Sequence, residues 1–405
     1  MDGGVEVEEM DIVIAGGGIC GLATALALHR KGITSVVLER SETLRTSGAA
    51  IGILTNGWRA LDQLGVGSKL RETSIPLQGA RDIWLDTNKQ RASPLSKGEF
   101  RCVKRRDLIQ MLAEDLPHGT IQFGCHILSL KLDPSTSYPT LQLLNGRTIK
   151  AKVLIGCDGA NSLVAEFLKL KPKKIFSHSA VRSLTNYPTG HGLVPELFRT
   201  HKDNMLCGRV PINQNLVFWF LLLPGYTQDT MIFNDPELIR RMSVEKINGF
   251  PNEIVRMVRD CDTSNLSLTH LKYRTPWDVL VGNFQRGTVT LAGDAMHVMG
   301  PFLGQGGSAA LEDAVVLARC LAHKTRDQAD LNGNGMQIVQ AKVGEAMDAY
   351  VKERRMRLVG LSAQTYLTGL LLGTSTTLVK LFIVVLMAVL FYDPLLHTGY
   401  DCGPL

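Results

Sequence analysis

The eight cysteines (20, 102, 125, 157, 207, 261, 320 and 402) include no C-x-x-C pair. Scattered thiols without ligand spacing argue against a zinc site or a redox dithiol, and they suit a reducing, cytosol-like compartment. There is no basic block interleaved with aromatics, and the net charge is only +6 over 405 residues, so no nucleic-acid partner is expected. Internal repeats and low-complexity tracts are missing, and a hydrophobic content of 45% excludes wholesale disorder. The first ten residues, MDGGVEVEEM, are acidic and leave no room for a secretory h-region or an arginine-rich transit peptide before the first apolar strand. Long apolar runs are lacking too. Residues 381–391, LFIVVLMAVLF, form an eleven-residue run preceded by Lys380, against about 20 needed for a membrane span. A helix packed on the protein and an interfacial membrane contact both stay open. The expected location is cytoplasmic, with peripheral membrane contact as the alternative.

What is present begins with IVIAGGGICGLA, residues 12–23. Residues 10–15 read as a short buried strand, and residues 19–31 as a helix turning Leu22, Ala23, Leu26 and Ala27 inward. Gly16, Gly18 and Gly21 fit G-x-G-x-x-G: a tight turn, open ground for a pyrophosphate, and close packing of helix on strand. The amides from Ile19 onward begin the helix, where bare N–H groups and the dipole favour a phosphate. A second strand over 34–38 ends at Glu39, 18 residues past Gly21, where a ribose hydroxyl pair needs an acceptor. An acid there favours FAD or NAD over NADP.

Two further strands end in aspartate. GCDGANS, 156–162, follows the strand at 153–155 and puts Asp158 at a sheet edge, although an ordinary Asp-Gly turn reads the same way. In TVTLAGDAMHVMGPFLGQGG, 288–307, a strand ends at Asp294, and a helix begins near Gly306 after a glycine-rich loop. The bare amides around Gly304, Gln305 and Gly306 suit a delocalised negative charge, such as that of a reduced flavin. Three strand ends aimed at one extended ligand are hard to obtain by accident. Between about 175 and 285 the texture changes. Residues 215–223, NLVFWFLLL, are strongly β-prone and residues 237–259 are amphipathic, which reads as an inserted sheet with one covering helix. Phe218 and Trp219 either line the substrate face of this sheet, or alternation buries one of them in the core. Arg182, His191 and Arg209 are scattered polar candidates there, and an apolar lining suits a planar or elongated hydrophobic molecule with one polar group.

In these segments the sequence resembles the single-component FAD-dependent aromatic-ring hydroxylases (group A flavoprotein monooxygenases), and is most similar to plant monooxygenases related to zeaxanthin epoxidase and salicylate hydroxylase. The glycine motif, the Asp158-Gly159 segment and G-D-A-x-H-x-x-x-P-x-x-G-Q-G at 293–306 stand in the family's order. Arg105 with Leu108 matches its R-x-x-L, Gly48, Ala49 and Gly52 resemble its loop near the isoalloxazine, and Tyr350 with Glu353, Arg354 and Arg355 its C-terminal helix. The resemblance implies an α/β fold with an α+β insertion: a Rossmann-like FAD domain in three pieces (1–75, 100–174, 285–325), a substrate domain (76–99, 175–284) and a C-terminal helical region (326–405) after a loop at 327–335. It implies FAD held by Gly16, Gly18, Ile19, Gly21, Glu39, Arg40, Gly52, Arg105, Asp158, Asp294, Gly304, Gly306 and Gly307. Pro301 and His297 are its candidate catalytic residues, with a flavin-contacting, structural role as the alternative for His297.

The implied chemistry is reduction of FAD by NAD(P)H, addition of O2 at the flavin C4a carbon as a hydroperoxide, and transfer of one oxygen atom to a small hydrophobic or aromatic substrate. A homodimer is left open, and no metal is implied. The chain departs from the family at Ala165, where an arginine is frequent, and at Ser308, where an asparagine is. Two rivals stand beside this reading. Halogenation or reduction on the same fold is one, although Trp58, Trp84, Trp219 and Trp277 form no W-x-W signature; a non-catalytic flavin-fold binding protein is the other.

Overall fold

The computed structural model describes residues 7–45, 48–95, 98–225, 232–325, 336–374, 376–391, 393 and 396–405. The loop expected at 327–335 lies outside the described residues.

An eight-stranded sheet carries the nucleotide motif. Its main path runs Gln285–Arg286, Val289–Leu291, Thr148–Gly156, Val7–Ala15, Val36–Leu38 and Ile121–Gln122. The four central strands are parallel, and their last residues stand in one row: Leu38 beside Ala15, Ala15 beside Gly156, Gly156 beside Leu291. Backbone bonds continue one step past that row, from Gly16 N–H to Leu38 O (2.9 Å), Cys157 N–H to Ala15 O (2.8 Å) and Ala292 N–H to Gly156 O (3.0 Å). The register therefore delivers Gly16, Glu39, Asp158 and the Gly293-Asp294 turn to one carboxyl edge, where open α/β sheets bind ligands. Ile19–Arg30 and Gly306–Thr325 pack against each other, and Leu22, Ala23, Leu26, Ala310 and Ala314 all belong to the largest apolar core.

The second sheet has seven strands in the order Ser267–Tyr273, Lys174–Asn186, Leu216–Pro224, Met205–Pro211, Leu197–Lys202, Gly79–Trp84 and Lys89–Pro94. Residues 79–94 thus join the later segment by a parallel pairing of Gly79–Trp84 with Leu197–Lys202. The expected single covering helix is two, Pro236–Lys246 and Asn252–Arg259. Gly249 takes φ +94°, a conformation that ends a helix, and Pro251 starts the next one. Phe218 and Trp219 are both buried, against expectation. They do point to opposite faces, but helices cover one face and the first domain covers the other.

The helix Thr377–Leu390 follows the long helix Met336–Gly373. It is apolar all round, yet only Ile383 is buried, while Leu378 is 77% exposed, Phe382 68% and Val389 72%. The expectation of a helix packed on its own chain is thus not met. Among the described residues, no helix is long and apolar enough to cross a membrane. Beyond it the chain returns to the first domain: Arg59 donates to Gly399 O, Arg319 to Cys402 O, and Leu405 N–H to Gln63 Oε1.

Candidate active site

The three motif glycines do different things. Gly16 has φ +101°, and a Cβ there would lie 2.6 Å from Cys157 O. At Gly21 a Cβ would lie 1.9 Å from Gly16 O, so only glycine lets the helix sit on the turn. At Gly18 a Cβ would meet nothing within 4 Å. The protein itself has no packing use for a glycine at that position, whereas a ligand approaching the backbone does. Gly18 is extended and caps Ile19–Arg30 with no side-chain bond, so the amides from Ile19 face the cleft without a competing acceptor.

Glu39 sits fully buried beneath the glycine turn. Its Oε2 accepts the Gly17 N–H (2.8 Å), its Oε1 the Ser41 N–H (3.0 Å), and Arg45 Nε lies 3.1 Å from Oε1. Burial alone would raise its pKa, but the Ser41 and Gly17 amides and the Arg45 guanidinium outweigh burial and hold it below the usual carboxylate range. In this conformation Arg45, which the sequence reading did not single out, covers the acid. Arg40 is exposed at the end of the same strand.

Asp158 Oδ2 accepts from Leu163 N–H (2.8 Å) and Val164 N–H (3.4 Å), while Oδ1 is buried with no partner. Burial pushes its carboxyl up, partly offset by Ser162 and these amides. Asp294 follows Gly293 (φ +61°) and opens on the cleft although protein encloses it on most sides. Its carboxyl is also pushed up by burial, against the pull of His297 and Arg105. Arg105 starts the helix Arg105–Glu114 half-buried, with its pKa lowered by burial and by Arg45 and supported by Asp294. Gly304 is left-handed (φ +63°) and turns the chain into the helix Gly306–Thr325. A Cβ on Gly306 would meet only Asp294 Oδ1, at 3.9 Å, so that helix start and the carboxylate face each other. Gly307 and Gly52 are packing positions: a Cβ would lie 2.3 Å from Ile51 Cδ1 and 3.0 Å from Phe100 Cε2 respectively. Pro301 is exposed at the head of the turn Pro301–Leu303.

His297, a catalytic candidate with a structural alternative, lies in the interior of the protein. It is fully buried, and its Nε2 lies 2.6 Å from Asp313 Oδ2. Asp313 also accepts from Gly293 N–H (2.9 Å) and Arg354 Nε (2.7 Å), and Arg354 reaches Glu312 at 2.6 Å. This buried cluster clamps the Asp294 turn to the helix Gly306–Thr325. Local sequence had no signal for it beyond two acids inside an otherwise apolar helix pattern.

Of the polar candidates on the second sheet, Arg209 faces the covering helices, with Glu253 at 3.2 Å and the Phe198 ring at 4.5 Å. His191 holds its own loop through Asn213 O (2.6 Å) and Leu193 N–H (2.9 Å). Arg182 alone lies on the face toward the first domain.

The cleft fits FAD. It combines open ground at Gly18, an orphaned buried oxygen on Asp158, and Asp294 and Arg105 placed at the same carboxyl edge. The comparisons agree. Residues 9–333 match the FAD binding domain family. Monooxygenase 1 of Arabidopsis thaliana is 52% identical over 403 residues, covering 98% of this chain and 100% of that protein. Monooxygenase 2 of the same plant is 34% identical over 407 residues, covering 98% of each. In fold, the chain is similar to HpxO of Klebsiella pneumoniae complexed with FAD and uric acid, with a TM-score of 0.75, 20% identity, and 93% of this chain and 92% of that chain covered. The chain therefore belongs to the FAD binding domain family and is a flavoprotein of the FAD-dependent monooxygenase kind.

Proposed function

We propose that the protein uses NAD(P)H and O2 to hydroxylate or epoxidise a small hydrophobic or aromatic substrate. The balance is one substrate, one O2, NAD(P)H and a proton giving oxygenated substrate, NAD(P)+ and water. The observation that carries this reading is the single row of strand ends, which brings the glycine turn, Asp158 and Asp294 to one edge. Bound FAD would supply electron transfer from NAD(P)H and the activation of O2.

The chain's own residues divide the remaining work. The amides from Ile19, with Gly16 and Gly18, would receive the pyrophosphate. Glu39 would meet the adenosine ribose once Arg45 moves off it, with Arg40 near the same strand end. Asp294 would accept from the ribityl hydroxyls, with Arg105 beside it. The start of the helix beyond Gly304, Gly306 and Gly307 would face the charge that a reduced flavin carries, and Gly52 brings its strand close to the same place. Pro301 and the inner face of the second sheet, including Phe220, would exclude water from the reacting edge. His297 is a positioning residue in this reading, acting through Asp313 on the Asp294 turn.

The exposed helix Thr377–Leu390 supports a peripheral lipid contact. It leaves a helix whose Gly369 packs on Phe176 and Phe302, next to Pro301, so an apolar substrate would reach the cavity from the same side. A second copy of the chain on this helix is the competing outcome.

The test is direct. Purified protein should carry one noncovalent FAD per chain, released entirely by acid precipitation, and should oxidise NAD(P)H with O2 faster when a metabolite from an unbiased screen is oxygenated. Absence of flavin, or NAD(P)H oxidation that no substrate couples to an oxygenated product, would sink the reading.

A further inference from the structure

Residues 396–405 carry no nucleotide motif, yet they are bonded onto the first domain along their length. Arg59 Nη1 donates to Gly399 O (2.5 Å) and Tyr400 O (3.3 Å), Arg319 Nη1 to Cys402 O and Pro404 O (3.0 Å), and Leu405 N–H to Gln63 Oε1 (3.0 Å). Gly403 takes φ +76°, and a Cβ there would lie 2.9 Å from Arg319 Nη1, so only glycine lets the chain turn over that guanidinium. Cys402 is buried in the main core, with Tyr400 and Leu405 packed against it.

Tyr400, itself half-buried, covers the outer end of a buried ion network. Its ring centroid lies 5.3 Å from Arg354 Cζ and 4.6 Å from Arg357 Cζ. Arg354 is fully buried and its Nη1 has no hydrogen-bond partner, so the aromatic face meets a cation that the acids leave incompletely satisfied. Burial raises the pKa of the Tyr400 hydroxyl against the pull of Arg354, which keeps the ring uncharged. Inward from the two arginines the network forks. One branch runs through Asp313, which accepts from Arg354 Nε (2.7 Å), to the Gly293 N–H (2.9 Å) and so to the Asp294 turn. The other runs through Glu312, which accepts from Arg357 Nη2 (3.0 Å) and Asn56 Nδ2 (2.6 Å). Asn56 Nδ2 also donates to Gln305 Oε1 (2.8 Å), just before the helix start at Gly306. Asn56, Gln305, Glu312 and Asp313 are all fully buried. The two branches therefore end on the two loops assigned above to the ribityl chain and the reduced flavin. Water admitted at Tyr400 would raise the local dielectric and weaken each pairing along them.

We propose that Tyr400 is a positioning residue for FAD: it seals the arginine end of this network and, through Asp313 and Glu312, sets the Asp294 turn and the Gly304–Gly306 loop for the reduced cofactor. This rests on the flavin placement proposed above. The test titrates FAD into the flavin-stripped full chain by fluorescence quenching and measures the midpoint potential of the bound flavin. Tyr400→Leu keeps apolar bulk but removes the aromatic face. It should weaken binding of oxidised FAD about tenfold. Reduced FAD should lose about tenfold more, which lowers the midpoint by about 30 mV for a two-electron couple. Tyr400→Phe should restore both affinities to within about twofold of the wild type. Arg59→Gln loosens the segment at Gly399 and leaves the ring in place; it should shift both readings the same way by a smaller factor, and it decides the matter if Tyr400→Leu does not fold. Ile247→Val, in the core under the second sheet's helices, should lower stability and move neither reading. A wild-type potential in Tyr400→Leu and Arg59→Gln, equal losses in Tyr400→Leu and Tyr400→Phe, or an equal shift in Ile247→Val would overturn the proposal. Full FAD affinity in Asp294→Ala would instead overturn the flavin placement, and the Tyr400 variants would still decide on the segment separately.

Discussion

Asp313 Oδ2 lies 2.6 Å from His297 Nε2, and both side chains are fully buried. The same oxygen accepts the Gly293 N–H, while Oδ1 takes Arg354 Nε. One carboxylate thereby ties a histidine, a strand-end glycine and a distant arginine into the wall of the flavin cleft. Burial acts to raise its pKa, but His297 and Arg354 outweigh that and hold it at about 2, against an ordinary value of 3.8.

Replacing Asp313 by Asn should therefore cost about 3–5 kcal/mol, the usual consequence of breaking a buried ion pair. The folded-state pKa is depressed, so the stabilisation is full above pH 3.8 and fades as pH falls toward about 2. Denaturant unfolding of both proteins between pH 3 and 7 checks this. A variant as stable as the wild type at pH 7 would remove Asp313 from the structural frame.

The two cleft aspartates should fail differently. Asp294→Ala should weaken FAD binding at least about tenfold, because it deletes a charge-assisted acceptor. Asp158→Ala should mainly slow reduction by NAD(P)H, since Asp158 Oδ2 is taken by the Leu163 amide and its Oδ1 alone is free for a ligand. Equal flavin loss in both, measured by absorbance after gel filtration, would mean the roles are wrongly divided.

The motif glycines give a third prediction. Gly21→Ala should yield little folded protein, because its Cβ would sit 1.9 Å from Gly16 O. Gly18→Ala has free space and should fold with near-normal far-UV circular dichroism while losing most of its FAD affinity. A Gly18→Ala protein that retains flavin would show that the backbone there does not approach the cofactor.

The C-terminal helix can be tested without removing it. Truncation after Thr377 would also strip Tyr400 from Arg354 and Arg357, whose guanidinium carbons lie 5.3 and 4.6 Å from its ring centroid. Substituting Leu381, Phe382, Val385 and Val389 by serine keeps that contact. Such a protein should keep its flavin but lose flotation with anionic liposomes. Unchanged flotation together with a halved size-exclusion mass would assign the helix to a dimer instead.

The sequence by itself determined the nucleotide edge. A positive φ at Gly16, the close contact at Gly21 and strands that lead into Glu39, Asp158 and Asp294 are local requirements, written into residue types within a few positions. What only the tertiary structure decided depends on partners far along the chain. His297 reads as catalytic or structural from its motif, and its buried pairing with Asp313, itself bound to Arg354, exists only in the fold. Glu39 looks free until Arg45 lies across it. Arg182 and Arg209 read alike in sequence, and the two sheet faces separate them, one toward the cleft and one toward Glu253. Phe218 and Trp219 alternate as expected, yet both are buried because a sheet inserted between a domain and two helices has no wet face. Local backbone geometry is legible from residue types, whereas burial, pairing and the fate of a charge depend on what the rest of the chain brings alongside.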